Sequence, residues 1–164
     1  MERYKAALAR SAPLEGPAAG SPEDAEAVRR FTEFVRRMDG ESIASAVREV
    51  YAADAYFNDT LKEVEGAEKI ARYLAESLEA AHEVRVEVVD VARSGGNYYF
   101  IWEMDIHFKK LNGGRPARTA GMSHIRFDAE GRVAFHRDYW DAAEGLFVHL
   151  PVVGRIVRYI KGRF

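Results

Sequence analysis

Four segments with a two-residue hydrophobic period lie between Val84 and Asp141, and they constrain the fold more than any other feature of the chain. In the longest segment, residues 97–110, apolar side chains occupy every second position: Tyr98, Phe100, Trp102, Met104, Ile106 and Phe108. This period is typical of β-strands with one buried face. Gly95-Gly96 and Asn112-Gly113-Gly114 flank the segment, and turns of this kind join neighbouring antiparallel strands. The spacing therefore predicts a four-stranded antiparallel meander.

The residues before the meander are predicted to form three helices and a short strand. Apolar residues at helical spacing indicate helices over about 22–38, 41–51 and 67–81. Between the second and third helices, the aromatic residues of 55–59 favour a strand. Ser21 and Pro22 are suited to cap and begin the first helix. Helices that can cover one face of an antiparallel meander predict an α+β fold.

The two ends of the chain differ from the predicted domain between them, residues 23–148. Residues 1–22 are rich in proline, glycine, alanine and serine, and we expect a mobile tail. In residues 149–164, arginine and lysine line one helical face, and apolar residues line the other: Val152, Val153, Ile156, Val157, Ile160 and Phe164. A basic amphipathic helix can lie on a membrane. Docking on the protein's own sheet is the commoner arrangement, so we expect docking and no membrane contact.

Composition and charge exclude several classes of function. The 24 basic and 26 acidic residues give a formal charge of −2, so nucleic-acid binding is not expected. The absence of cysteine excludes disulfides, thiolate catalysis and cysteine-ligated zinc. The N-terminal residues contain no apolar signal segment, and no run of about 18 apolar residues occurs in the sequence. We therefore expect a cytoplasmic protein.

Acidic residues on two predicted strands suggest a catalytic site. Alternation places Glu103 and Asp105 on one face of their strand, and His136, Asp138 and Trp140 on one face of theirs. If the pairing register brings these faces together, the acids share a poorly solvated cavity. Like charges there cannot all ionise, so one acid and one base would result. Alternatively, Glu103 and Asp105 lie on a solvated face and pair with arginines of neighbouring strands.

The other polar residues of the strands have simpler interpretations. Asp141 precedes Ala142-Ala143 and is a natural helix N-cap. For His124 and His136, a structural hydrogen-bonding role is more common than catalysis. A metal site formed by His107, His124, His136 and Asp105 lacks a recognisable ligand spacing. No metal site is therefore expected.

The order of elements resembles the cone-shaped, cystatin-like fold of the nuclear transport factor 2-like superfamily. This superfamily includes SnoaL-like polyketide cyclases, ketosteroid isomerases and limonene epoxide hydrolases. The resemblance spans residues 24–148, and Arg-Asp-Tyr-Trp-Asp at 137–141 is similar to the Arg-Asp-Tyr-Phe-Asp of the epoxide hydrolases. It implies three helices packed on a curved antiparallel meander, here with a C-terminal amphipathic helix, and a catalytic role for Asp138.

Further motifs match these families only in part. Residues 56–58, Tyr-Phe-Asn, match a Tyr-x-Asn of the epoxide hydrolases. Their Arg-x-Asp corresponds to Glu103-Met104-Asp105, where the acid is kept and the arginine is replaced by glutamate. Asp59 lies near the position of the general base of ketosteroid isomerases. Their oxyanion-binding tyrosine has no clear equivalent in residues 24–38.

The residues and the resemblance together predict a SnoaL-like protein with a hydrophobic pocket. The expected activity is cofactor-independent acid/base catalysis, of isomerase, cyclase or hydrolase type, on a small apolar molecule. The expected catalytic residues are Asp138, Asp105 and Glu103, and no metal or organic cofactor is required. Substrate contacts are expected from eight residues: Tyr56, Asn58, Asp59, Tyr99, Ile101, His124, His136 and Trp140. The alternative is a non-catalytic ligand-binding or dimerisation module, and the family resemblance is compatible with a homodimer.

Overall fold

The computed structural model describes residues 2–12, 14–40 and 42–163, which form six α-helices and one six-stranded sheet. The helices are α1 (Glu2–Ser11), α2 (Pro22–Arg36), α3 (Ile43–Val50), α4 (Ala67–Leu78), α5 (Ala142–Gly145) and α6 (Val153–Lys161). The strands are β1 (Tyr51–Asn58), β2 (Glu63–Glu65), β3 (Ala81–Ser94), β4 (Asn97–Phe108), β5 (Ala117–Phe127) and β6 (Val133–Trp140). Short 3₁₀ turns lie at Asn112–Gly114 and Phe147–His149. Four residues covered by the sequence predictions lie outside the described residues: Met1, Pro13, Glu41 and Phe164.

The strands are ordered β2-β1-β6-β5-β4-β3 across the sheet. Antiparallel pairing from β3 to β6 confirms the predicted meander. β1 adds to β6 in parallel, and β2 pairs with β1 at the edge of the sheet in antiparallel orientation. Helices on a mostly antiparallel sheet confirm the α+β class.

One sheet face, here called the inner face, packs against α2, α3 and α4 to form the main core. Phe31 of α2 and Phe100 of β4 are both fully buried, and their ring centroids lie 4.6 Å apart. The predicted start of α2 is confirmed, because the Asp24 amide donates to the Ser21 hydroxyl at 3.1 Å. Burying these aromatic side chains is the main force that holds the helices on the inner face.

The opposite face of the sheet, here called the outer face, is partly covered by α1. Ala7 is buried against Tyr56 and Phe135 of the outer face. Arg126 of β5 donates to the Leu8 carbonyl at 3.0 Å, and the same oxygen, near the end of the helix, accepts from the Ser11 hydroxyl at 3.1 Å. The helix corrects the expectation that residues 1–22 form a mobile tail. Composition favoured a tail, but the apolar residues of α1 have helical spacing and meet an apolar patch of the sheet.

Two element boundaries also differ from the sequence-based predictions. Helix α3 ends at Val50, and Tyr51 already has extended backbone angles, with φ −101° and ψ 145°. β1 therefore begins at Tyr51 instead of residue 55. Similarly, α4 ends at Leu78 because Ala81 is the first residue of β3. Tertiary pairing sets both boundaries, since local periodicity alone extended α3 by one residue and α4 by about one turn.

The C-terminal region does not dock on the sheet as expected. Asp141 caps α5, as predicted, by accepting from the Glu144 amide at 3.0 Å. Helix α6, however, packs on the 3₁₀ turn at Phe147–His149. Its buried residue is Gly154, on the polar side of the helix, and its apolar side chains, apart from the half-buried Val157, face solvent. The predicted docking of the apolar face is wrong because the turn attaches the helix by its opposite side.

Candidate active site

A cavity of about 320 Å³ lies between the helices and the inner face of the sheet. Most of its wall is apolar, with side chains from α2, α4, β3 and β4. Its polar side chains include Asp59, Tyr73, Ser123, His136 and Asp138. A small apolar cavity with a few polar groups is the common form of a small-molecule site.

Asp138 is held in this cavity through one of its two carboxylate oxygens. Ser123 is its direct partner on β5 and donates to Oδ1 at 2.5 Å. His136, two residues earlier on β6, contacts the same oxygen through Nε2 at 2.7 Å. Among the described residues, no donor contacts Oδ2, and no buried side-chain polar atom lacks a partner. Oδ2 is therefore accessible and can accept a proton from a bound molecule.

Two further donors fix the groups around Asp138. The Trp102 indole N–H donates to the Ser123 hydroxyl at 2.9 Å. The Tyr51 hydroxyl lies 2.7 Å from His136 Nδ1. Burial, together with the negative charge of Asp138, raises the pKa of Tyr51 well above 10.0, so Tyr51 is protonated and donates to Nδ1. His136 Nε2–H then donates to Asp138, and both hydrogen-bond chains end on one carboxylate oxygen.

A second carboxylate, Asp59, lines the same cavity. Its Oδ1 accepts from the backbone amides of Leu61 at 3.0 Å and Lys62 at 2.8 Å, which fixes it in the turn after β1. Its Oδ2 accepts from the Tyr73 hydroxyl of α4. Burial, the hydrogen bond to Asp59 and the charges of Asp59 and Asp138 raise the pKa of Tyr73. Tyr73 therefore remains a protonated donor close to both carboxylates.

Two tryptophans wall the cavity, and a glycine makes room for them. Trp140 of β6 donates its indole N–H to the Asp59 carbonyl at 2.7 Å. Gly121 lies opposite Trp140 on β5, and a Cβ there would be 2.5 Å from the Trp102 ring and 2.8 Å from Trp140 Cβ. Glycine is required at this position because any side chain would collide with the Trp102 indole and with the Cβ of Trp140.

A comparison with protein families identifies the domain that carries this site. The family model described as the SnoaL-like domain matches residues 28–136. This protein belongs to the SnoaL-like family. The match ends two residues before Asp138, so the role of Asp138 rests on the geometry of the cavity. A comparison with curated protein sequences finds no match.

Solved structures share the fold of this SnoaL-like protein. One is a protein with a ketosteroid isomerase-like fold from Catenulispora acidiphila, solved with trimethylamine, with a TM-score of 0.64 and 19% identity over 74% of this chain and 89% of that chain. Another, from Jannaschia, is named for SnoaL-like polyketide cyclases, with a TM-score of 0.62 and 17% identity over 77% of this chain and 91% of that chain. A third is an LEH-like epoxide hydrolase from M. tuberculosis, with a TM-score of 0.58 and 15% identity over 75% and 86%. These similarities confirm the nuclear transport factor 2-like fold.

Glu103 and Asp105 do not join Asp138 in the cavity. Asp105 lies opposite Arg118 on the outer face and forms an ion pair with it at 3.0 Å, and Glu103 is exposed on the same face. Side chains of β4 that line the cavity have even numbers, among them Trp102. The expectation of three acids in one cavity is corrected, because strand pairing places these two acids on the solvated face.

Three of the eight expected substrate contacts line the cavity: Asp59, His136 and Trp140. Tyr56 lies under α1, where it stacks on Phe135 of the outer face at a centroid distance of 5.2 Å. Its hydroxyl donates to Glu63 at 2.8 Å and accepts from Asn58 at 3.2 Å. These contacts give Tyr56 and Asn58 structural roles on the far side of the sheet.

The remaining three expected contacts also lie on the outer face. Tyr99 and His124 stack with ring centroids 5.0 Å apart, and Ile101 is exposed. His124 Nε2 bonds to Asn97 Oδ1 at 2.8 Å. Burial, then the positive charge of Arg126, lowers the pKa of His124 to about 4. His124 therefore has the structural hydrogen-bonding role that is the more common one for a histidine in a strand.

Four site residues were not expected from the sequence: Tyr51, Tyr73, Trp102 and Ser123. Trp102 and Tyr73 stood within predicted buried stripes, and Tyr51 at the predicted end of a helix. A buried tyrosine or tryptophan usually needs a hydrogen-bond partner for its polar atom. This requirement was the feature of the sequence that could have indicated these aromatic residues. Within the described ranges, no group of three or more histidine, aspartate or glutamate side chains could hold a metal ion.

Proposed function

We propose that this protein is a cofactor-independent acid/base enzyme that acts on a small apolar carbonyl compound, with Asp138 as the general base. The observation that carries the proposal is the environment of the Asp138 carboxylate. Oδ1 accepts from Ser123 and His136, whereas Oδ2 is accessible in a largely apolar cavity. A fixed carboxylate with one free oxygen is well placed to remove a proton from a bound molecule.

In the proposed reaction, Asp138 Oδ2 takes a proton from the carbon next to the carbonyl group. The C–H electron pair forms the enolate double bond, and the carbonyl π electrons move to oxygen. In a substrate with a β,γ double bond, return of the proton from Asp138 to the γ carbon isomerises the substrate. Alternatively, attack of the enolate carbon on a second carbonyl closes a ring, and the alkoxide formed there takes the proton from Asp138. In both cases Asp138 is regenerated and no redox partner is needed.

Tyr73 is the proposed donor to the developing oxyanion. Its hydroxyl lines the cavity, and its raised pKa keeps it protonated. Rotation of the hydroxyl from Asp59 towards the substrate leaves Asp59 with its two backbone donors. A donor that is positioned before the reaction stabilises the oxyanion without reorganisation.

Isomerase or cyclase chemistry fits this site better than epoxide hydrolysis. The resemblance to limonene epoxide hydrolases implies an acid at Asp105 that works beside Asp138. Asp105 is instead paired with Arg118 on the outer face. The second acid of the cavity is Asp59, from a different part of the chain. The acid set of those hydrolases is therefore not assembled here.

Deuterium exchange in simple ketones tests the proposal without knowledge of the natural substrate. Cyclohexanone, a β,γ-cyclohexenone and acetophenone are incubated with the full chain in deuterium oxide, and loss of the α-proton signal is followed by NMR. We expect protein-dependent exchange that falls by about a hundredfold to ten-thousandfold in Asp138→Asn. The matched control, Asp105→Asn, changes an aspartate of the outer face, and we expect its rate to equal that of the wild type.

Equal exchange in the wild type and in Asp138→Asn contradicts the proposal, provided that circular dichroism shows both proteins folded. Ketone binding without exchange in the wild type also contradicts it. That result favours the alternative of a non-catalytic ligand-binding module.

A further inference from the structure

Helix α6 is attached to the protein by its polar side. Gly154 is buried against the 3₁₀ turn, where a Cβ would collide with the Val148 carbonyl oxygen. Arg158 donates to the same carbonyl at 2.6 Å, and Lys161 forms an ion pair with Glu144. A helix on the surface of a globular protein normally buries its apolar side. Here the apolar side faces outward.

The outward side of α6 forms the main exposed apolar patch of the described residues. Ten large hydrophobic side chains are exposed in the described part of the chain, and half of them lie within residues 152–160. They are Val152 (70% exposed), Val153 (42%), Ile156 (55%), Tyr159 (64%) and Ile160 (50%). Single exposed apolar residues are common, but a concentrated patch of this kind marks an interaction surface.

Positive charge surrounds this patch. Residues 146–163 contain Arg155, Arg158, Lys161 and Arg163 and no aspartate or glutamate, although the whole chain carries −2. At about 100° per residue, the exposed Arg155 falls on one side of the apolar face, and Lys161, which is paired with Glu144, falls on the other. An apolar helix face between basic flanks is complementary to a surface of acyl chains and anionic headgroups.

We propose that α6 is an anchor that binds this protein to the surface of an anionic membrane. The apolar face enters the acyl boundary, and the exposed Arg155 and Arg163 contact lipid phosphates. With nine residues, α6 is far shorter than the roughly 20 residues that span a bilayer, so the contact is with the surface. Among the described residues, no helix is both long and apolar enough to cross a membrane. A second copy is a poorer occupant, because α6 packed on α6 would bring the exposed Arg155 and Arg163 of two copies together, and residues 146–163 contain no acidic partner for them. The proposal stands independently of the chemistry proposed for the cavity.

Sedimentation of the full chain with lipid vesicles tests this proposal. We expect binding to phosphatidylcholine vesicles that contain phosphatidylglycerol, and little binding to phosphatidylcholine alone. Binding should weaken as ionic strength rises from about 0.05 M to about 0.5 M, because salt screens the basic flanks. Replacing both Ile156→Gln and Ile160→Gln should lower the partition coefficient about a hundredfold, since both side chains lose apolar burial. Arg155→Gln should lower it about fivefold.

Val89→Gln is the matched control, because Val89 is 54% exposed on β3, away from α6. Its binding should equal that of the wild type. Ile156, Ile160 and Val89 are each at least 50% exposed, and Arg155 is also exposed. Thermal unfolding checks that the variants fold.

Three outcomes overturn the proposal. They are no binding to anionic vesicles at low ionic strength, equal binding to neutral vesicles, and equal loss of binding in Val89→Gln. Analytical ultracentrifugation tests whether a second copy of the chain covers the apolar face of α6 instead. A wild-type dimer that becomes monomeric in the isoleucine double variant, without vesicle binding, assigns the face to a second copy.

Discussion

Asp138 and Asp105 lie on neighbouring parts of one sheet, yet the two faces surround them with different chemistry. On the outer face, Asp105 forms an ion pair with Arg118, and its side chain is 35% exposed. On the inner face, Asp138 is 15% exposed and accepts from Ser123 and His136. An exposed pair with arginine adds little beyond solubility. A carboxylate held by hydrogen bonds beside a cavity is available for a ligand, so the face of the strand decides what each aspartate can do.

The largest expected difference between the faces is in packing. Phe100 and Ile101 are consecutive residues of β4, but Phe100 is 0% exposed on the inner face and Ile101 is 38% exposed on the outer face. We expect Phe100→Ala to lower the free energy of unfolding by about 4 kcal/mol, and Ile101→Ala by about 1 kcal/mol. Urea unfolding measures both values. Equal losses, or a larger loss for Ile101→Ala, would show that the faces have been assigned incorrectly.

The two tyrosines of β1 offer a smaller and more specific comparison. Tyr51 donates to the buried His136, whereas Tyr56 donates to the partly exposed Glu63. Tyr51→Phe leaves His136 Nδ1 without a donor and should cost about 2 kcal/mol of unfolding free energy. Tyr56→Phe should cost about 1 kcal/mol, because water can reach Glu63. Thermal or urea unfolding of the two variants decides the order, and a costlier Tyr56→Phe would contradict the proposed hydrogen-bond chain.

His124 on the outer face predicts a dependence of stability on pH. Its pKa is lowered from 6.5 to about 4 in the folded protein, chiefly by burial. Between pH 4 and pH 6.5, the unfolded chain therefore binds more protons than the folded protein does. The stabilisation of the folded state that depends on neutral His124 is complete above pH 6.5 and is lost as pH falls towards 4. We expect about 1 to 2 kcal/mol of unfolding free energy to be lost. His124→Gln should reduce the slope of the unfolding free energy against pH in this range. An unchanged slope would show that other groups cause the pH dependence.

The smallest expected effect is at the surface ion pair. Arg118→Gln should change the free energy of unfolding by less than about 0.5 kcal/mol, because the Arg118 side chain is 79% exposed. It should also leave ketone exchange unchanged. A large loss of exchange in this variant would indicate that the outer face takes part in the reaction.

Alternation in the sequence was sufficient to predict the meander and the inner trio of His136, Asp138 and Trp140. It could not show which face of β4 meets that trio. Both faces of β4 carry aromatic residues, so either could have lined the cavity. The answer depends on the pairing of Phe100 with Ser123 and of Ser123 with Asp138, which is a property of three strands together.

The ends of the chain show a second limit of sequence analysis. Composition predicted a tail where α1 forms, because proline and glycine are concentrated after Ser11 and not within the helix. For α6, the amphipathic pattern was correctly identified, but a pattern does not tell which side of a helix is attached. Gly154, the one small residue on the polar side, determines the attachment by allowing close contact with the turn.

The measurement that tests the division between the faces most directly is carbon NMR of the side-chain carboxyl groups during ketone binding. Signals are assigned with Asp138→Asn, Asp59→Asn, Asp105→Asn and Glu103→Gln. We predict that bound ketone shifts the signals of Asp138 and Asp59, which line the cavity. Asp105 and Glu103, on the outer face, should not respond. A ketone that shifts Asp105 or Glu103 and leaves Asp138 unchanged would contradict the placement of the site on the inner face.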